Sequence, residues 1–129
     1  MKRSAVALVV LISLSIVSCE RLQSVYDVVE APINKDFGDI TEEQVGNAIM
    51  TAAGEKGWIA HAEGVGHIVS VIYVRDHVAE VDILYSVNKY SISYNDSRNL
   101  LYNGIMIHRN YNKWIKLLDR QIKVELARI

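Results

Sequence analysis

Between Trp58 and Asn95 the chain alternates apolar and polar residues with a period of two, and no other stretch constrains the fold as tightly. Successive side chains of a strand point to opposite faces, so this alternation encodes strands buried on one side. Four strands are expected, near residues 58–63, 67–75, 78–86 and 89–95. A tight turn at Asp76–His77 sets Val74 opposite Ala79, Ile72 opposite Val81, Ser70 opposite Ile83 and Ile68 opposite Tyr85. A turn at Val87–Asn88 sets Tyr85 opposite Tyr90, Ile83 opposite Ile92 and Val81 opposite Tyr94. Both hairpins turn the same residues of their shared strand toward one apolar face, an agreement that a one-residue slip would destroy. A loop at Gly64-Val65-Gly66 brings Trp58, Ala60 and Ala62 to that face and completes an antiparallel meander.

The flanking segments switch to helical periodicity. Thr41-Glu42-Glu43-Gln44 is a capping box, with Ile40 and Val45 placed as a hydrophobic staple and two acids at the positive end of the helix dipole. Val45, Ala48, Ile49 and Ala52 follow on one stripe, and Gly54 or Gly57 ends the helix. Asn103–Gly104 marks a turn in a small ribbon or compact loop. A last helix starts at an Asn110 cap, with Tyr111, Ile115, Leu118, Ile122 and Ile129 on its apolar side and Trp114 at the edge. The expected fold class is α+β: a helix, a four-stranded antiparallel β-meander and a C-terminal helix, both helices on one face of the sheet. Residues 41–129 form the single domain. Residues 19–40, with Pro32, Asn34 and Gly38, read as a tether; "SVYDVVEAPI" can add a short edge strand, and Pro32 argues against a central one.

The N-terminus carries an address. Lys2 and Arg3 precede an apolar run from Ala5 to Val17, which has the length of a secretory h-region and falls short of the roughly 20 residues a membrane span needs. The chain has 1 cysteine, so Cys19 has no partner for an internal disulfide. Ile16, Ser18 and Cys19 occupy the places of a lipobox, and the whole N-terminus resembles that of bacterial lipoproteins. The resemblance implies removal of residues 1–18 as a signal peptide, a diacylglyceryl group on the Cys19 thiol and palmitate or a similar acyl chain on the new amino terminus. Two or three chains make a stable anchor where one does not. Glu20 stands where an Asp retains enteric lipoproteins at the inner membrane, which implies the outer membrane over the inner one.

Three regions could carry function. The meander's far face bears Ile59, His61, Glu63, His67, Val69, Val71, Tyr73, Glu80, Asp82 and Leu84. His61, Glu63, His67, Tyr73 and Asp82 are candidates for a ligand or partner face. Imidazole and carboxylate suit a metal, but no ligand spacing such as HExxH is present, and no metal or cofactor is assigned. The apolar members form a partner-binding patch unless residues 22–33 fold back over them. Arg109, Lys113, Lys116, Arg120 and Lys123 recur at helical spacing on one face, opposite the apolar stripe, and suit an anionic surface or a plain solvated face near the negative helix end. Asp96, Ser97 and His108 are the residue types of a hydrolase, without a GxSxG elbow, and are explained more simply as turn formers and cap neighbours. The formal net charge of −1 gives no bias toward nucleic acid, and none is expected as a partner.

Tyr90, Ser91, Ile92, Tyr94, Asp96, Ser97, Asn99 and Leu100, followed by Ile107, His108, Asn110, Tyr111, Asn112 and Trp114, resemble a pattern in small lipobox lipoproteins of Gram-negative bacteria, a family without an assigned activity. Trp58 fits the same pattern, and the resemblance covers most of residues 45–126. It implies an envelope lipoprotein and supports the helix–sheet–helix order. It implies no reaction and no catalytic residues. The expectation is a non-enzymatic, lipid-anchored periplasmic lipoprotein that binds or scaffolds an envelope protein. The alternative is a small-ligand or metal binder on the far sheet face, and a hydrolase comes third.

Overall fold

The computed structural model describes residues 21–36 and 38–129, so the expected signal peptide, Cys19 and Glu20 lie outside the described residues. The elements run β1 (Leu22–Ser24), β2 (Val28–Pro32), α1 (Glu42–Glu55), β3 (Ile59–Gly64), β4 (His67–Val74), β5 (His77–Tyr85), β6 (Lys89–Arg98), β7 (Met106–His108) and α2 (Arg109–Ala127). The fold is α+β. Its antiparallel sheet has five strands in the order β2-β6-β5-β4-β3, and β1 and β7 form a separate two-stranded ribbon.

The meander forms, with one register corrected. β5 and β6 pair as the alternation requires: Tyr85 with Tyr90, Ile83 with Ile92 and Val81 with Tyr94. Between β4 and β5 the loop is Arg75–Asp76 rather than Asp76–His77, so Val74 meets His77, Ile72 meets Ala79, Ser70 meets Val81 and Ile68 meets Ile83. The pairing has moved by two residues, which leaves every side chain on its face. Facial patterning is blind to that shift; only turn chemistry discriminates, and the left-handed backbone falls on Arg75 at φ 58°. A second correction lies at the tip of β3–β4. Gly64 belongs to the strand and pairs with His67, leaving Val65 and Gly66 as the loop. Beyond a bulge at Glu80–Val81, β6 continues to Arg98, so Asp96 and Ser97 are strand residues rather than turn formers.

Residues 22–33 are not a tether. β2 adds along the free edge of β6, with Val28 opposite Ile92 and Pro32 ending the strand opposite Lys89. An edge place suits Pro32, which has no N–H to donate. Val28, Ala31 and Ile33 join the core, so this segment neither covers the far face nor hangs free.

Both helices pack on each other and close one face of the sheet. Thr41 caps α1 with both capping-box bonds in place: its hydroxyl accepts from the Gln44 amide at 3.2 Å, and its own amide donates to the Gln44 side chain at 2.8 Å. The α1 stripe, Val45, Ala48, Ile49 and Ala52, is buried, as is Trp58 where the chain enters β3. On α2, Tyr111, Ile115, Leu118 and Ile122 are fully buried. Leu126 fills the last stripe position, while Ile129 lies past the helix end and is exposed. The α2 cap is His108, whose ring accepts from the Asn110 amide at 3.1 Å, so Asn110 is inside the first turn instead of capping it.

Candidate functional site

The far face of the sheet is built by strand parity. With both helices on one side and β2 at the edge, no described element lies over it. Ile59, Tyr73 and Leu84 expose 65%, 64% and 53% of their surface there. The registers group Ile59 beside Val71, and Tyr73 beside Val78, on adjoining rows. Leu84 stands apart next to His67, beyond a row made of His61, Val69 and Asp82, so the expected single apolar patch is divided. Val69 is buried in that dividing row although no described element lies above it.

The polar groups of this face pair with one another. His61 Nε2 lies 2.8 Å from Glu63 Oε1, and both side chains are about half exposed, at 54% and 49%. Solvated pairs of this kind add little stability. His67 Nε2 lies 2.6 Å from Asp82 Oδ1 in a less exposed setting. Glu63 therefore partners His61 along its own strand, and His67 reaches across to β5 instead of facing Glu63 over the loop. Among the described residues, no three His, Cys, Asp or Glu side chains are grouped to hold a metal ion. The face presents two apolar pairs, Ile59 with Val71 and Tyr73 with Val78, with Glu80 beside Val71; the His–carboxylate pairs reach across the neighbouring rows, and Leu84 lies beyond them.

The second site is the outer side of α2. Arg109, Lys113, Lys116, Arg120 and Lys123 are all exposed. The only acids in the helix are Asp119 and Glu125, both buried and both paired: Asp119 with Lys123 at 2.9 Å and Glu125 with Arg128 at 3.1 Å. Lys116 lies 5.1 Å from the ring centre of Tyr26. A shallow groove runs between the helix and β1, lined by Gln23, Arg109, Asn112, Lys113, Lys116 and Arg120. The β1 side is fastened by Asn112. Its side chain accepts from the Tyr26 amide at 2.9 Å and donates to the Ser24 carbonyl at 2.8 Å and to Gln23 at 3.1 Å. The Arg109 amide donates to the Arg21 carbonyl at 2.8 Å, so the chain is bound to the start of α2 from the first described residue onward. Neither the docking of Arg21 nor the role of Asn112 was expected from sequence. Asn112 had one available signal, an amide side chain beside the apolar stripe of a helix.

The hydrolase candidates have other partners. The Ser97 hydroxyl bonds the Tyr94 hydroxyl at 2.8 Å, and the Asp96 carboxylate accepts from the Ser97 amide at 2.8 Å. His108 uses Nδ1 as the helix cap. Its ring stacks on His77 with centroids 6.3 Å apart, and His77 also packs near Trp114. Burial, with His77, Arg109 and Arg21 nearby, holds the His108 pKa below the ordinary imidazole value.

Comparison with known proteins identifies no relative: no family model, no curated protein and no solved structure matches the chain.

Proposed function

We propose that the protein is a lipoprotein of the Gram-negative cell envelope, anchored through Cys19 and facing the periplasm, that binds an envelope protein on the far face of its sheet. The lipobox and the resemblance of residues 45–126 to small envelope lipoproteins support the address. The observation that carries the binding role is the exposed apolar group of Ile59, Val71, Tyr73 and Val78 on two adjoining rows, with Glu80 beside Val71; Ile59 and Tyr73 are each about two-thirds exposed. Apolar surface of this kind, rimmed by polar residues, marks partner contacts. The His61–Glu63 and His67–Asp82 pairs beside it supply polar contacts of defined direction.

A photo-crosslinking residue placed at Tyr73 in cells tests this reading, with the same residue at Glu43 on α1 as the reference. The expected result is one discrete envelope-protein adduct from Tyr73 and none from Glu43. Equal, diffuse labelling from both positions would count against a dedicated partner face.

A further inference from the structure

The basic face of α2 and the point where the chain leaves the domain lie together. We infer that this face rests on anionic phospholipid headgroups, with α2 lying along the bilayer surface and the open sheet face turned away from it. The inference deepens the lipid-anchor reading and rests on it.

Three observations lead there. First, Glu20 alone separates Cys19 from Arg21, and Arg21 is hydrogen-bonded to the start of α2. Two chain steps span roughly 7 Å at most. Acyl chains on Cys19 therefore hold the N-terminal end of α2 within about one headgroup layer of the membrane, with no tether to carry the domain away. Second, Lys113, Lys116 and Arg120 continue from that end along the side of α2 that points away from its buried stripe. Arg120 lies roughly 16 Å along the axis from Arg109 at 1.5 Å per residue. The Debye length at physiological ionic strength is about 8 Å, so these cations gain fully from an anionic surface only if the helix lies down on it. Third, the same flank presents Tyr26, 37% exposed beneath Lys116, and Val124, 40% exposed beside Arg120. Tyrosine is favoured at the level of the headgroups.

The sheet then sets the direction of the other surface. The buried stripe of α2 faces the sheet, so placing the outer side of α2 on the membrane directs Ile59 and Tyr73 toward the periplasm. One arrangement thus assigns each open surface an occupant, phospholipid below and a protein partner above.

The test uses the full protein extracted from membranes and reconstituted into vesicles of phosphatidylcholine with about one-quarter phosphatidylglycerol. An acylated Cys19 leaves an introduced cysteine as the single reactive thiol. A fluorophore is attached to Val124→Cys or, as reference, to Tyr73→Cys, and quenching by headgroup spin-labelled lipid is measured. The expected result is severalfold stronger quenching at Val124 than at Tyr73, falling to near equality in 0.5 M salt. Each cation near the surface shifts the lying-down equilibrium roughly fivefold, so replacing Lys113, Lys116 and Arg120 together by Gln removes most of the difference. The salt series uses protein with its basic face intact and gives the answer even where the triple variant folds poorly. Acylated protein with equal quenching at both positions overturns the inference and leaves the anchor standing. Protein whose intact mass shows no acyl chain overturns the anchor and the inference together.

Discussion

Replacing Tyr90 by Phe measures how the sheet holds its C-terminal helix. Tyr90 reaches from β6 through the core to donate to Asp119 Oδ1 on α2 at 2.5 Å, and both residues are buried. Phe keeps the ring and leaves no cavity, so the loss is the hydrogen bond itself. A bond to a charged group contributes about 1.5–3 kcal/mol. Asp119 keeps Lys123 at 2.9 Å on its other oxygen, so its charge is not abandoned, and the expected loss is about 2 kcal/mol. For a domain of this size that lowers Tm by roughly 8 °C. The assay is thermal unfolding followed by circular dichroism at pH 7, with Tyr111→Phe alongside. The Tyr111 hydroxyl is buried without a hydrogen-bond partner among the described residues, so its removal should be neutral or stabilising by up to about 1 kcal/mol. Burial first, and then the Asp119 carboxylate, raises the Tyr90 pKa; burial first raises that of Tyr111. A raised folded pKa gives stability that is complete below the unfolded value of 10.0 and is lost as pH climbs above it. Wild type should therefore weaken above about pH 10, and Tyr90→Phe should weaken less steeply. Equal Tm losses for the two Phe variants would refute the assignment of Tyr90–Asp119 as the link.

Three further outcomes follow from the same geometry. Asn112→Ala removes three bonds to residues 23–26 and should cost about 2–3 kcal/mol, with faster proteolysis before Val28 than elsewhere. Gly66 sits at φ +72°, and a Cβ there would lie 2.8 Å from the Tyr85 carbonyl oxygen, so Gly66→Ala should lose about 1–3 kcal/mol in denaturant unfolding. The lowered pKa of His108 means that its contribution is present above the unfolded value of 6.5 and is lost as pH falls below it, when Nδ1 takes a proton and stops accepting from Asn110. His108→Asn, which can still cap, should lose that acid sensitivity, as read by Tm between pH 7 and 5.

The elements legible in the sequence were those written in repeated signals. The capping box at Thr41 and the shared strand Val78–Tyr85 each had several residues demanding one arrangement. The β4–β5 register was not fixed in this way, because a two-residue shift preserves both faces and Arg75 has no glycine or asparagine to announce its left-handed backbone. Within residues 22–33 the edge strand at Val28–Pro32 was among the readings the sequence offered, but the tether reading failed because β1 and β2 are held by distant partners such as Asn112 and Ile92 rather than by local pattern. The candidate faces could be read residue by residue from strand and helix parity. Their pairing could not: His67 with Asp82, and His61 with Glu63, depend on side-chain geometry across rows. The position of Arg21 against Arg109, which links the proposed anchor to the basic face, is a tertiary contact with no trace in composition or spacing.

The intact mass of the membrane-extracted protein, compared with Cys19→Ala after cell fractionation, tests the central claim most directly. A lipid-anchored envelope protein should lack residues 1–18 and carry two or three acyl chains, while the variant keeps residues 1–18 and gains no mass. A full-length, unacylated wild-type protein in the soluble fraction would contradict the anchor on which both proposed surfaces depend.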